Sequence, residues 1–237
     1  MSVISSLRSS LAILLMVSTG FFTFTANAAE PGGVSLGTTR VIYPEGNTQA
    51  SLAINNTDPN AVFLIQAWME NAQQAKSSDF VLTPPLFVIQ PKKENTLRIM
   101  YVGPNTLPAD RETLYWVNVK AIPSVSKDTN NKNTLQIAIL SRIKLFMRPK
   151  NLSMSSVEAP SHLQFHKSGN TLTITNPTPY YLTLVQFHAG IANLPTTMVA
   201  PMSKADVKLP ANAQGDINFQ TVNDYGANTP TQKAHLS

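Results

Sequence analysis

The chain has no cysteine in its 237 residues. That excludes a disulfide framework, a thiol nucleophile and any cysteine-based metal site. Charge is also scarce: Asp, Glu, Lys and Arg make up 13% of the chain, and 18 cations against 13 anions leave a net charge of +5. The cations are scattered, without a run of five and without a basic helix, which argues against nucleic acid as a partner. Glycine numbers only 10, and none of it forms a phosphate-cradling loop. His-Glu-x-x-His and Gly-x-Ser-x-Gly are both missing. Beyond the first thirty residues there is no long apolar run, so no membrane insertion of the remaining chain is expected.

What the N-terminus does have is one cation, Arg8, an apolar run from Leu11 to Phe24, and small residues in Ala26-Asn27-Ala28. The run is shorter than the ~20 residues a spanning helix needs. This pattern predicts a secretory signal peptide over residues 1–28, cut after Ala28 or after Ala29. An uncleaved N-terminal anchor is the alternative. An exported chain without disulfides must be held by packed cores, and residues 29–237 suffice for one large domain or two smaller ones.

Strand signals dominate the rest. VSLGTTRVIY, QASLAINN, FLIQAWMEN, FVLTPPLFVIQP, TLRIMYVG, TLYWVNVKAIP and TLQIAILSRIKLF follow one another at short spacing. Turn residues separate them, as in Pro44-Glu45-Gly46 and Asn55-Asn56-Thr57-Asp58-Pro59. This predicts an all-β sandwich. A proline pair cannot sit inside a hydrogen-bonded ladder, so at Pro84-Pro85 the chain must run along an edge or change sheets. Pro149 stops the seventh strand, and KNLSMSSVEAPSH reads as hinge and linker. A second strand-rich region follows, with a hairpin turning at Ser168-Gly169-Asn170. The expected division is 29–150 and 151–237.

Catalytic signals are weak. His162 and His166 have a helical ligand spacing but fall in a linker and a strand, without carboxylates around them. Ser141-Arg142-Ile143-Lys144 matches a Ser-x-x-Lys signature, yet a separation of three in a strand turns the two side chains to opposite faces. No enzyme, cofactor or metal site is expected. Asn55 and Asn151 open Asn-x-Ser/Thr triplets, a pattern that chance often produces.

The seventh strand is the unusual one. Leu135, Ile137 and Ile139 alternate on one side, and Arg142, Lys144 and Arg148 follow in the same strand. The apolar row either faces the domain's own core or is offered to a partner. At a sheet edge such a row invites strand addition. Ile139 and Lys144 are five apart, so a regular strand puts them on opposite faces unless a bulge re-aims it.

These segments resemble a known family. TTRVIYPEG, TPPLFVIQPKKENTLRIMY, LPADRETLYWVNVKAIP, LQIAILSRIKLFMRP, NPTPYYLTL and VNDYG occur in order across nearly all of residues 29–237. They are similar to periplasmic chaperones of the chaperone–usher pilus pathway, PapD-like, of the short-loop subclass and nearest to those of type 1-like fimbriae. The resemblance implies two immunoglobulin-like β-sandwich domains arranged as an L with an interdomain cleft. It implies a periplasmic location, fimbrial (pilin) subunits as clients and an outer-membrane usher as recipient. Leu135, Ile137 and Ile139 would fill a groove in the client by donor-strand complementation. Arg40 and Lys144 would anchor the client's C-terminal carboxylate. Glu112, Arg148 and Asp224 would form an interdomain salt-bridge network. The loop from about Ser124 to Asn133 fits the short-loop subclass. Self-association of the free chaperone stays open, as does a second reading, a secreted two-domain sandwich acting as an adhesin or as a peptide- or carbohydrate-binding protein.

Overall fold

The computed structural model describes residues 32–104, 106–124 and 135–236. The expected signal peptide and most of the loop from Ser124 to Asn133 lie outside the described residues. Two β-sandwiches account for what is described. The first contains β1 (Val34–Leu36), β2 (Arg40–Pro44), β3 (Ala50–Asn56), β4 (Phe63–Asn71), β5 (Phe80–Thr83), β6 (Leu86–Ile89), β7 (Glu94–Tyr101), β8 (Thr113–Pro123) and β9 (Ile139–Arg148). One of its sheets has the order β1-β3-β7-β5 and the other β2-β9-β8-β4-β6. Inward residues alternate with outward ones as the two-residue period demands. Leu52, Ile54, Leu97 and Ile99 on one sheet meet Ile65, Val117 and Leu145 on the other.

Two predicted strands divide between the sheets. The segment around Pro84-Pro85 does so: β5 pairs with β7 and β6 with β4, and a cis Thr83–Pro84 bond lies at the crossover. VSLGTTRVIY, read as one strand, also divides. β1 pairs antiparallel with β3, and β2 pairs parallel with β9. The break comes at Gly37, where a Cβ would stand 2.9 Å from that of Ala53. Only glycine allows the backbone so close at the point of departure.

The seventh predicted strand is shorter than its sequence pattern. Its ladder with β8 begins at Ile139, opposite Ala121. The next step outward meets Pro123, which has no N–H to donate. Leu135 to Ala138 carry no ladder, and the Gln136 side chain donates to the Pro123 carbonyl.

The second sandwich contains β10 (Gln164–Ser168), β11 (Thr171–Asn176), β12 (Leu182–Ala189), β13 (Ala192–Asn193), β14 (Thr197–Val199), β15 (Ser203–Lys208), β16 (Ile217–Thr221) and β17 (Gln232–Lys233). Its sheets run β10-β11-β15 and β13-β12-β16-β17, with β14 beside β12. The β10–β11 hairpin turns where the sequence indicated, with Gly169 in the left-handed region. The linker is mostly turns and one 3₁₀ turn, Ala159–His162. Asn176 is fully buried, and its amide donates to the carbonyls of Tyr180, Val199 and Ala200, tying the β11–β12 connection to the end of β14.

Both tryptophans, Trp68 on β4 and Trp116 on β8, belong to the first sandwich and report on it alone. Leu97 is fully buried, so Leu97→Ala is expected to cost about 2–5 kcal/mol. Urea unfolding followed by tryptophan fluorescence should show a lower midpoint with an unchanged slope.

Candidate functional site

Strand β9 organises the site. Its register with β8 runs without a shift from Met147 opposite Thr113 to Ile139 opposite Ala121. There is no bulge, so the two-residue alternation holds along its whole length. The odd positions Ile143, Leu145 and Met147 pack into the first core. The even positions Leu140, Arg142, Lys144, Phe146 and Arg148 face the other way. Ile139 and Lys144 therefore lie on opposite faces, and a bulge is not what separates them.

The apolar row continues the core parity past the end of the core. Leu135 is 87% exposed, Ile137 64% and Ile139 59%. Strand β2 pairs only with Lys144–Arg148. No strand among the described residues covers the other edge of Ile139–Ile143. Open hydrogen-bonding groups and uncovered aliphatic side chains thus occupy one stretch.

Arg40 and Lys144 are direct register partners in the parallel β2–β9 pair. Each reaches into the second sandwich. Arg40 Nη1 donates to the Val222 carbonyl at 3.0 Å, and Lys144 Nζ donates to Thr183 Oγ1 at 3.1 Å. Neither forms an ion pair among the described residues. Arg40 is 9% exposed, and its Nε has no acceptor. Burial lowers the Arg40 pKa against the opposing pull of Asp224 and Glu112. Burial, together with the charge of Arg40, lowers that of Lys144 to about 8. Two adjacent cations, partly desolvated and without an ion-pair partner among the described residues, have the chemistry to accept a carboxylate.

Beside them, the Arg148 guanidinium joins the sandwiches. Its Nε donates to Glu112 Oε1 at 2.8 Å, and its two terminal nitrogens grip both oxygens of Asp224 at 2.7 Å. The guanidinium also lies over the Tyr180 ring, 5.0 Å from its centre. Glu112, 3% exposed, accepts the Tyr181 N–H at 2.9 Å, and Ser156 Oγ donates to Asp224 at 2.9 Å. Burial raises the Glu112 pKa despite the opposing charge of Arg148. For Asp224 burial acts in the same direction, but hydrogen bonds and charge from Arg148 outweigh it and the pKa falls. The turn that carries Asp224 closes on Gly226, at φ +84°, where a side chain would collide with Thr39. A cleft of about 270 Å³ opens here, lined by Arg40, Phe146, Arg148, Tyr180 and Val222 among others.

All the candidate site residues named from the sequence are among the described residues, and Arg40 with Lys144 and Glu112 with Arg148 and Asp224 come together. The sequence reading missed the second sandwich's contributions: Thr183 Oγ1, the Val222 carbonyl, the Tyr181 N–H and Ser156. Most are backbone or hydroxyl groups in loops, which leave no sequence signal. It also assigned no role to Arg142, although Arg142 and Lys144 are two apart and share a face. His162 ends the 3₁₀ turn and His166 lies on β10, and among the described residues no three metal-ligating side chains converge.

Two packed sandwiches, an open strand edge with uncovered aliphatic side chains, and two adjacent cations without an ion-pair partner among the described residues make up the candidate site. Comparison with known proteins gives the family. Residues 33–153 match the pili and flagellar-assembly chaperone PapD N-terminal domain, and residues 158–233 match the pili assembly chaperone PapD C-terminal domain. Chaperone protein FimC of Escherichia coli K12 is 52% identical over 198 residues, covering 84% of this chain and 82% of FimC. The probable fimbrial chaperone SfmC of the same organism is 48% identical over 225 residues, covering 94% and 97%. The crystal structure of the periplasmic chaperone SfaE superposes with a TM-score of 0.75 at 48% identity, covering 86% of this chain and all of SfaE. The Salmonella enterica SafB chaperone, solved with the SafA pilin, gives 0.79 at 30% identity, covering 88% and 99%. The chain belongs to the PapD-like family of fimbrial chaperones, which is a family of chaperones and not of enzymes. That membership displaces the adhesin reading.

Arg148→Ala would leave Glu112 buried without its counter-charge. The expected cost is about 3–5 kcal/mol, read as a lower thermal midpoint. Lys144→Met should behave in the opposite way. With the folded pKa held near 8, the unfolded chain binds more protons between about pH 8 and the usual lysine value. The stability contribution of Lys144 therefore rises with pH through that window and is least favourable below it. At pH 7 the variant should melt no lower than the parent, and up to about 3 °C higher.

Proposed function

We propose that this chaperone captures fimbrial subunits by lending the open edge of β9 to a subunit's incomplete sheet. Leu135, Ile137 and Ile139 enter the subunit's groove, each worth roughly 1.5–3 kcal/mol before ordering costs. The subunit's C-terminal carboxylate sits between Arg40 and Lys144. The single observation that carries this reading is the pairing of those two cations, side by side and without an anion, next to an uncovered apolar row. Glu112, Arg148 and Asp224 hold the two sandwiches in the arrangement that builds the cleft and do not themselves contact the client. Residues 1–28 direct export to the periplasm and are removed, leaving sandwiches at 29–150 and 151–237. The loaded chaperone then delivers its subunit to an outer-membrane usher. The SafB chaperone, solved with its pilin, supports the choice of client. No cofactor takes part.

The test is co-purification from periplasm with a co-expressed fimbrial subunit. Arg40→Ala and Lys144→Ala should each abolish the stable complex while the chaperone stays folded by circular dichroism. Recovery of subunit at parent levels in both variants contradicts the anchor. The complex should also have a characteristic pH dependence. A bound carboxylate holds Lys144 protonated, whereas in the free chaperone it loses its proton near pH 8. Affinity should therefore be level below pH 8 and fall by up to about tenfold per unit above it.

A further inference from the structure

The outward face of the β2-β9-β8-β4-β6 sheet contains a feature that extends beyond the carboxylate anchor. Among the described residues, four buried side-chain atoms lack a hydrogen-bond partner: Arg40 Nε, Trp116 Nε1, Asn118 Nδ2 and Arg142 Nε. All four are donors, and all four lie on this one face. Scattered accidents would include acceptors and would not share a sheet. A buried donor without an acceptor is destabilising, so a cluster of them marks a surface suited to receiving acceptors.

The register places the cluster. Trp116 is the direct cross-strand partner of Lys144, on the side opposite Arg40. Asn118, 1% exposed, is the partner of Arg142. Arg142 and Lys144 share a face of β9 two residues apart, roughly 7 Å along the strand. The Arg142 guanidinium lies over the Trp116 ring, 4.3 Å from its centre, and its Nη2 donates to Glu70 Oε2 at 2.8 Å. Glu70 Oε1 also accepts from Trp68 Nε1 at 3.0 Å. Among the described residues Glu70 is the one carboxylate paired with this cation, and it engages the guanidinium through a single nitrogen, without the two-pronged grip that Arg148 has on Asp224. A partly satisfied arginine beside an anion site can exchange one carboxylate or carbonyl for another at little cost.

We propose that Arg142, stacked on Trp116 and held in reserve by Glu70, is a third arm of client recognition. It swings from Glu70 to acceptors in the last residues of the subunit, ahead of the terminal carboxylate held by Arg40 and Lys144. This rests on the anchor reading above and extends the site by one step along β9. Glu70 acts as an internal stand-in for the client, and the orphaned donors gain acceptors when the client arrives.

The opposite signs of two substitutions test this. The probe is a peptide copying the last twelve residues of a fimbrial subunit, made once with a free carboxylate and once as the amide, with affinity measured by calorimetry. Arg142→Gln should weaken the free-carboxylate peptide by about tenfold, the value of one charge-assisted hydrogen bond. Glu70→Gln removes the competitor, keeps an acceptor for Trp68, and should tighten the peptide by threefold or more. A purely structural Glu70–Arg142 pair predicts weaker binding for both variants, and that result overturns the proposal. A Trp68→Phe chaperone has Trp116 as its only tryptophan, and its emission should shift with either peptide only when Arg142 leaves the ring. An unchanged spectrum at saturation also counts against the arm, and this measurement decides if Arg142→Gln does not fold. If Arg142→Gln binds like the parent while Arg40→Ala and Lys144→Ala do not, the arm fails and the anchor stands. If all three bind like the parent, the anchor itself is wrong.

Discussion

The two-residue period of one strand is the constraint on which this molecule depends. On β9 the odd positions other than Ser141 are apolar and the even positions carry the cations, and the ladder with β8 keeps the two sets on opposite faces for nine residues. A one-residue slip would exchange them, burying Arg142, Lys144 and Arg148 in the first core and exposing Leu145 and Met147. The register is thus fixed by the same apolar burial that stabilises the domain. Function is read off both faces of a strand whose placement the core has already settled. The aliphatic row then extends beyond the second sheet, so residues of core type are left in water at its N-terminal end. In the proposed reading an incomplete neighbour covers them.

The cations sort themselves by the partners the fold supplies. Arg148 receives two carboxylates, one from each sandwich, and with both it offsets its burial. Arg40 and Lys144, four residues away along the β2–β9 pair, receive only a carbonyl and a hydroxyl. Desolvation lowers their pKa values, for Arg40 against the more distant pull of Asp224 and Glu112, and a carboxylate arriving from outside would restore what burial removed. The Arg148 network and the empty cation pair are complementary. The first links the two sandwiches, and the second sandwich meets Lys144 with Thr183 and Arg40 with Val222.

Much of this was legible beforehand. Alternating hydrophobicity and turn residues located nearly every strand of the first sandwich, and Pro84-Pro85 marked a change of sheet because proline cannot extend a ladder. The split of VSLGTTRVIY was not legible. Its residues all favour extended structure, and only the close approach of Gly37 to Ala53 reveals the break. The early end of the β9 ladder was hidden for a related reason. The limiting residue is Pro123 on a different strand, and the pattern of Leu135 to Ile139 carries no trace of it.

The sequence alone determined the composition of the two sandwiches, the absence of thiol chemistry, the apolar row and the identity of the residues at the cleft. It could do so because side-chain period and turn chemistry are local properties, and because six family segments stand in order. The tertiary structure decided which cations are satisfied and which are left waiting. Arg40, Arg142, Lys144 and Arg148 look alike in one dimension. They differ only in the distance to carboxylates brought from 36 to 76 residues away, and electrostatic energy depends on that distance and on burial, not on position along the chain.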